Sequence, residues 1–266
     1  MMRVALEAVL SSLGPASVAV SGGVDSMTLA VLANRLLGSE RVTMMHAVSP
    51  AVPPEATERV QIWADHEGWS LRVLNAGEFG DANYLSNPVN RCFFCKSNLY
   101  GTIASLSERQ ILSGANTDDL GEYRPGLDAA LDHGVRHPYL EAGIDKKSVR
   151  ALARDLGLGG LAELPSSPCL SSRVETSIAI DPQVLKAIHD VEAIVGQRLM
   201  PKTVRCRIRR NGVVIELDPE SLAGIGSAQR RALSSTITGL LPSSLFGKPI
   251  GFEPYRNGSA FVGAKS

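Results

Sequence analysis

The chain has 266 residues, 44% of them hydrophobic and 20% charged, ordinary values for a soluble globular protein with ample core. Lysine plus arginine and aspartate plus glutamate stand at 27 each, so no basic field gathers nucleic acid, and no apolar stretch approaches the roughly 20 residues that cross a bilayer. Four cysteines, two of them in Cys92-x-x-Cys95, are too few for a disulfide scaffold; they point to the cytoplasm, where such a pair more often binds metal or does redox work.

In chain order, the start resembles a signal peptide, but Glu7 interrupts the apolar run, and an amphipathic helix leading into the first strand is expected. Ala16–Val20 reads as that strand, followed by Ser21-Gly22-Gly23-Val24-Asp25-Ser26 and a helix to Leu37. Strand, glycine turn and helix start make an anion cradle, because glycines let backbone N–H groups approach a phosphate and the helix dipole favours negative charge. Ser21 and Ser26 add hydroxyl donors, while Asp25 is placed to cap the helix or to help hold magnesium. The segment is neither a Walker loop nor a G-x-G-x-x-G dinucleotide turn. The competing reading is a plain Ser/Gly turn.

Arg41–Val48 is expected as a second strand, ending at His46-Ala47-Val48-Ser49. Pro53 and Pro54 break the chain before a helix over Glu55–Glu67, and Leu71–Leu74 and Arg109–Leu112 are further strands. Alternating strands and helices imply an α/β fold, a doubly wound parallel sheet with ligands at the strands' carboxyl ends. Ser113-Gly114-Ala115-Asn116-Thr117-Asp118-Asp119 lies at such an end, so it is expected to converge on the Ser21 loop. Asp118 and Asp119 are either magnesium ligands for a triphosphate or the N-cap of a helix. Tyr123-Arg124-Pro125-Gly126 adds a cation.

Asn90-Arg91-Cys92-Phe93-Phe94-Cys95-Lys96 places two thiols three positions apart beside two cations. An iron–sulfur cluster, a redox dithiol and a structural pair all remain open for it. Lys146–Leu156 is helical, and the Pro/Ser stretch Leu164–Cys169 is not regular structure. Pro168-Cys169-Leu170-Ser171-Ser172-Arg173 isolates one thiol near an arginine, a nucleophile activated by the cation or an inert loop cysteine. A small α+β domain follows, with helices over Pro182–Arg198 and Pro219–Leu233 and a hairpin of Thr203–Ile208 and Val213–Leu217 around Asn211-Gly212. The domains are read as 1–170 and 171–266. On the first hairpin strand Arg205 and Arg207 share a face, as a phosphate or carboxylate clamp or a solvated basic face, while Cys206 points to the core. His133 and His137 read as loop residues, not a metal pair.

The Ser21–Ser26 segment resembles the PP-loop of ATP pyrophosphatases, and the chain as a whole resembles the LarE family of ATP-dependent sulfur transferases. The motifs that carry this are 21–26, 90–96, Gly114–Leu120, 123–126, Leu140-Glu-Ala-Gly143, 168–173, Arg205-x-Arg207 and Tyr255-Arg256-Asn257-Gly258-Ser259. The resemblance implies a doubly wound PP-loop domain and maturation of the nickel-pincer nucleotide of lactate racemase. The carboxylates of pyridinium-3,5-biscarboxylic acid mononucleotide would be adenylated by ATP and converted to thiocarboxylates. It implies Ser21, Gly22, Gly23, Asp25, Ser26, Ala47, Gly114, Asn116 and Arg124 as ATP contacts, with Mg2+ on Asp118 and Asp119. Arg205, Arg207 and Arg256 would bind substrate, and Cys169, Asp25 and Arg173 would be catalytic. Cys92, Cys95 and Cys169 would hold a [4Fe–4S] cluster whose open iron carries sulfide, or Cys169 would give up its own sulfur and become dehydroalanine. A homo-oligomer in the cytoplasm, served by sulfide or a sulfur donor, completes what the family implies. The family has an acidic residue near position 251, where this chain has Gly251, with Glu253 close by. A PP-loop tRNA thiolation enzyme and an ammonia-using ligase related to NAD synthetase are the rivals, with a non-catalytic nucleotide-binding module behind them.

Overall fold

A computed structural model describes residues 2–121, 124–165 and 168–263; Tyr123, Ser166 and Ser167, singled out above, lie outside the described residues. The described residues divide into two units: 2–81 with 90–121 and 124–165, and 82–89 with 168–263. In the first unit α1 (Met2–Ser11) leads into β1 (Ala16–Ala19), α2 (Val24–Leu37), β2 (Val42–Ala47), α3 (Pro54–Glu67) and β3 (Ser70–Leu74). α4 (Ala82–Leu85) belongs to the second unit, and the chain returns to the first for α5 (Arg91–Leu106), β4 (Gln110–Leu112), α6 (Pro125–Asp132), α7 (Pro138–Glu141), α8 (Lys146–Asp155) and α9 (Gly159–Ala162). The sheet order is β3-β2-β1-β4, every pairing parallel, with Val18 aligned to Met44 on one side and Leu112 on the other.

This is the α/β architecture expected. All four residues of β1 and the first five of β2 are buried, as strands covered on both faces must be. Leu6 and Leu10 of α1, Met27 and Leu29 of α2, Val60 of α3 and Val149 of α8 cover one face. Tyr100 and Ile103 of α5 with Ala130 of α6 pack with Met45 and Ile111 on the other. Among the described residues no helix is long and apolar enough to cross a membrane.

The second unit contains α10 (Pro182–Leu199), β5 (Val204–Arg209), β6 (Gly212–Leu217), α11 (Pro219–Gly224), α12 (Ser227–Thr238) and β7 (Ile250–Pro254). β5 and β6 form the antiparallel hairpin, and β7 joins β6 in parallel. The single helix expected over Pro219–Leu233 is two: Gly226 is extended (φ −73°, ψ 168°) and starts α12, so the backbone turns at Ile225-Gly226. The residues after Cys169 form a short 3-10 turn, Leu170–Arg173.

Candidate functional site

The glycine turn is shaped by close approach. Gly22 has φ +79°, and a Cβ there would lie 2.7 Å from Ala56 O at the start of α3. Arg59 of the same helix donates from Nη1 to Gly22 O at 2.8 Å. Inside the turn Ser21 N donates to Ser26 Oγ (3.0 Å), and Ser26 Oγ donates to Gly23 O (3.2 Å). The loop after β4 does converge on it. A Cβ on Gly114 would stand 2.9 Å from Ser26 N and 3.0 Å from the Asp25 carbonyl carbon, so glycine is what lets the two loops meet.

Asp25 lies in the first turn of α2 and forms an ion pair with Lys146 in the first turn of α8. Burial raises its carboxyl above the ordinary range, Lys146 opposes that, and nearby Asp119 adds to it. Its second oxygen, Oδ1, is buried without a hydrogen-bond partner among the described residues. Asp119 Oδ2 accepts from Asn116 N (3.0 Å), and its Oδ1 meets Arg124 at 3.0 Å. Asp119 thus serves its own 3-10 turn, Thr117–Gly121, while its charge also acts on Asp25; Asp118 is exposed. Among the described residues no three His, Cys, Asp or Glu side chains are gathered to hold a metal ion. Magnesium needs fewer from the protein, since it keeps waters and takes phosphate oxygens alongside one or two carboxylates. The orphan oxygen of Asp25 beside Asp119 fits that demand.

Sequence reasoning missed Lys146 and Arg59, which carried no local signal; only folding brings their helices to the loop. It gave the end of β2 position alone. There Ala47 is half-buried and Val48 N donates to Leu74 O (2.9 Å). His46 is buried, its Nδ1 2.8 Å from Val20 O and its Nε2 2.9 Å from Thr57 Oγ1. A carbonyl only accepts, so Nδ1 carries the proton and Nε2 receives the Thr57 hydroxyl. The ring thereby ties α3 to the ends of β1 and β2. Burial lowers its pKa from 6.5, so the stability it contributes is present above that value and lost as pH falls through the lower, folded-state pKa. Urea stability of the protein is therefore expected to drop on acidification below about 6.5, and less steeply in His46→Gln; equal slopes would contradict this. His137, expected in a loop, precedes α7 and has Nδ1 2.8 Å from Ser113 Oγ.

Cys92 and Cys95 are the second and fifth residues of α5, three positions apart and both half-buried, so their thiols share one side of the helix. That donor pair suits a soft metal centre.

In the second unit Cys169 is half-buried and begins the 3-10 turn. Arg173 is buried (2% exposed) and grips this loop: Nη1 donates to Pro168 O (2.5 Å) and Cys169 O (3.1 Å). Its other edge makes a two-point pair with Glu192 of α10, at 3.0 and 3.1 Å. Its charge is thus met by a carboxylate, and the residue acts on the backbone around Cys169.

Cys206 is fully buried, as the strand alternation implies, and burial pushes its thiol pKa far up. Arg207 is engaged within the protein. It is 4% exposed, and its fork goes to Glu216 (2.9 Å), Ser172 O (3.0 Å) and Arg256 O (3.3 Å). Arg205 stays half-buried beside the Tyr255 ring, at 5.9 Å, with burial and the neighbouring Arg173 making its charge costly. An anion there would relieve that cost. Arg256 is exposed. Gly251 pairs with Val214, and Glu253 lines an open polar cavity of about 450 Å³ with Glu175, Arg209 and Arg210.

No protein-family model matches the chain. An uncharacterized protein of Synechocystis sp., slr1717, is 39% identical over 211 residues, which are 78% of either chain. Pyridinium-3,5-bisthiocarboxylic acid mononucleotide synthase of Lactiplantibacillus plantarum is 28% identical over 226 residues, 84% of this chain and 81% of that one. An uncharacterized protein of Methanocaldococcus jannaschii, MJ0830, is 25% identical over 207 residues, 76% of this chain and 77% of its own length.

Proposed function

The chain belongs to the family of Synechocystis slr1717, and we propose that it makes the product for which the Lactiplantibacillus plantarum relative is named, pyridinium-3,5-bisthiocarboxylic acid mononucleotide, by inserting sulfur into the biscarboxylic acid at the expense of ATP. The observation that supports this reading is the abutment of Gly114 on Asp25–Ser26, which brings the two strand-end loops together beside the Asp25–Lys146 ion pair.

The chemistry follows from the residues. A carboxylate is a poor electrophile, so one oxygen attacks the α-phosphorus of ATP, the bond to the β-phosphate breaks and pyrophosphate leaves. Ser21, Gly22, Gly23 and Ser26 receive that anion, Asn116 and Arg124 hold their side of the nucleotide, and the backbone at Ala47 takes adenine. Asp119 and Asp118, with Asp25 helping, would hold Mg2+, which would neutralise charge on the phosphates. Sulfide, from a donor, then attacks the acyl carbon, the bond to AMP breaks, and a thiocarboxylate remains; a second round treats the second carboxylate. Arg205 and Arg256 bind the substrate's phosphate or carboxylates, and Arg207 holds the Arg256 backbone in place. Cys92, Cys95 and Cys169 would hold a [4Fe–4S] cluster, which would offer sulfide an open iron. Cys169 is kept in position by Arg173. A homo-oligomer in the cytoplasm belongs to the same reading.

Anaerobic purification with iron and sulfide analysis tests it. Iron is expected in the parent and lost in Cys92→Ala and Cys95→Ala, with intact mass unchanged after turnover. Iron retained by both variants would remove that pair from the site. No iron in the parent, with Cys169 converted to dehydroalanine, would overturn the cluster route.

A further inference from the structure

Residues 82–89 are flanked on both sides by the first unit, yet they pack in the second. Two buried side chains stitch them there. Tyr84 is 1% exposed, and its hydroxyl lies 2.7 Å from Ser171 Oγ, two residues past Cys169. Asn87 is fully buried in the left-handed region (φ +54°), and its Nδ2 donates to Glu175 O and Ile178 O, each at 2.9 Å. Backbone bonds continue the seam, Ile180 N to Leu85 O and Ser177 N to Asn87 O, both 2.8 Å. The segment is thus a strap over the chain that follows Cys169. On the other side Arg173, fixed by Glu192, holds the carbonyls of Pro168 and Cys169.

We propose that Tyr84 and Asn87 are positioning residues for Cys169: docked on Ser171 and on the 174–178 turn, the strap holds the loop that presents the Cys169 thiol. Satisfying so many buried donors and acceptors at once selects one loop conformation, because any other leaves several unmade. The importance of that loop for turnover rests on the sulfur-transfer reading; the positioning itself does not.

The test is the rate at which iodoacetamide labels Cys169 in the intact protein, read by peptide mass mapping, with fully buried Cys206 reporting global folding. Tyr84→Phe and Ser171→Ala each remove the same hydrogen bond. Each is expected to raise Cys169 labelling about fivefold, the worth of one such bond, and the double variant to add little, since the two share one interaction. Cys206 stays unlabelled. If Tyr84→Phe fails to fold, Ser171→Ala carries the comparison alone. Unchanged Cys169 labelling in a folded variant, or fully additive effects in the pair, would overturn the proposal. Measured alongside, kcat for thiocarboxylate formation should fall while KM for ATP holds. A parent protein that makes no thiocarboxylate would count against the sulfur-transfer reading, with the labelling result still deciding the strap.

Discussion

Gly114→Ala is expected to lower ATP-dependent turnover about 100-fold or more in a protein that still folds. The added Cβ would meet Ser26 N at 2.9 Å, the Asp25 carbonyl carbon at 3.0 Å and Ser26 Cα at 3.1 Å. These are backbone atoms at the start of α2, where no flexible side-chain tip exists to swing aside. Relief requires one loop to retreat from the other. That displaces the N–H groups that would face a phosphate, and an error near 1 Å at a reacting centre costs on the order of 10²-fold. Since Ile111 and Leu112 of β4 and the apolar residues Met27 to Ala33 of α2 are buried, the melting temperature should change little while nucleotide affinity by calorimetry and turnover fall together. Parental turnover in folded Gly114→Ala would mean that the two loops do not share a ligand.

Glu216→Ala is expected to destabilise the second unit by about 3–5 kcal/mol, the usual loss when one partner of a buried ion pair is removed. Glu216 is fully buried and accepts from Arg207 Nε (2.9 Å), Arg209 Nη2 (2.9 Å) and Ser259 Oγ (2.6 Å). Truncation leaves two guanidinium groups with reduced compensation and frees the 256–259 segment from one of its anchors. Glu216→Gln keeps the shape and two acceptor lone pairs but not the charge, so a smaller loss is expected. Urea unfolding followed by far-ultraviolet dichroism measures both. A shift below about 1 kcal/mol for the alanine variant, the range of an exposed pair, would contradict the role assigned to this network.

The features legible in the sequence were those encoded by neighbours in the chain. The Ser21–Ser26 cradle could be read because glycine, hydroxyl and carboxylate sit within one strand-to-helix turn, and Gly114 because topology alone brings parallel strand ends together. The burial of Cys206 followed from strand alternation. Alternation also put Arg205 and Arg207 on one face, but it carries nothing about what covers that face; Ser172 and the Arg256 backbone occupy Arg207 from distant parts of the chain. Lys146 reaches Asp25 across 121 positions, and no local pattern marks it. The strap is the clearest case. Ala82–Leu85 drew no reading from the sequence, and only the long-range bonds of Tyr84 and Asn87 place it in the second unit. The break at Ile225-Gly226 failed to register because a glycine inside a helical pattern is tolerated as often as it ends one.

The decisive measurement is the fate of ATP incubated with the protein, magnesium, sulfide and pyridinium-3,5-biscarboxylic acid mononucleotide, separated by ion-exchange chromatography. One AMP and one pyrophosphate should appear for each thiocarboxylate formed, and none without the mononucleotide. Formation of ADP, or no consumption of ATP at all, would contradict a cradle that splits the nucleotide between its first two phosphates.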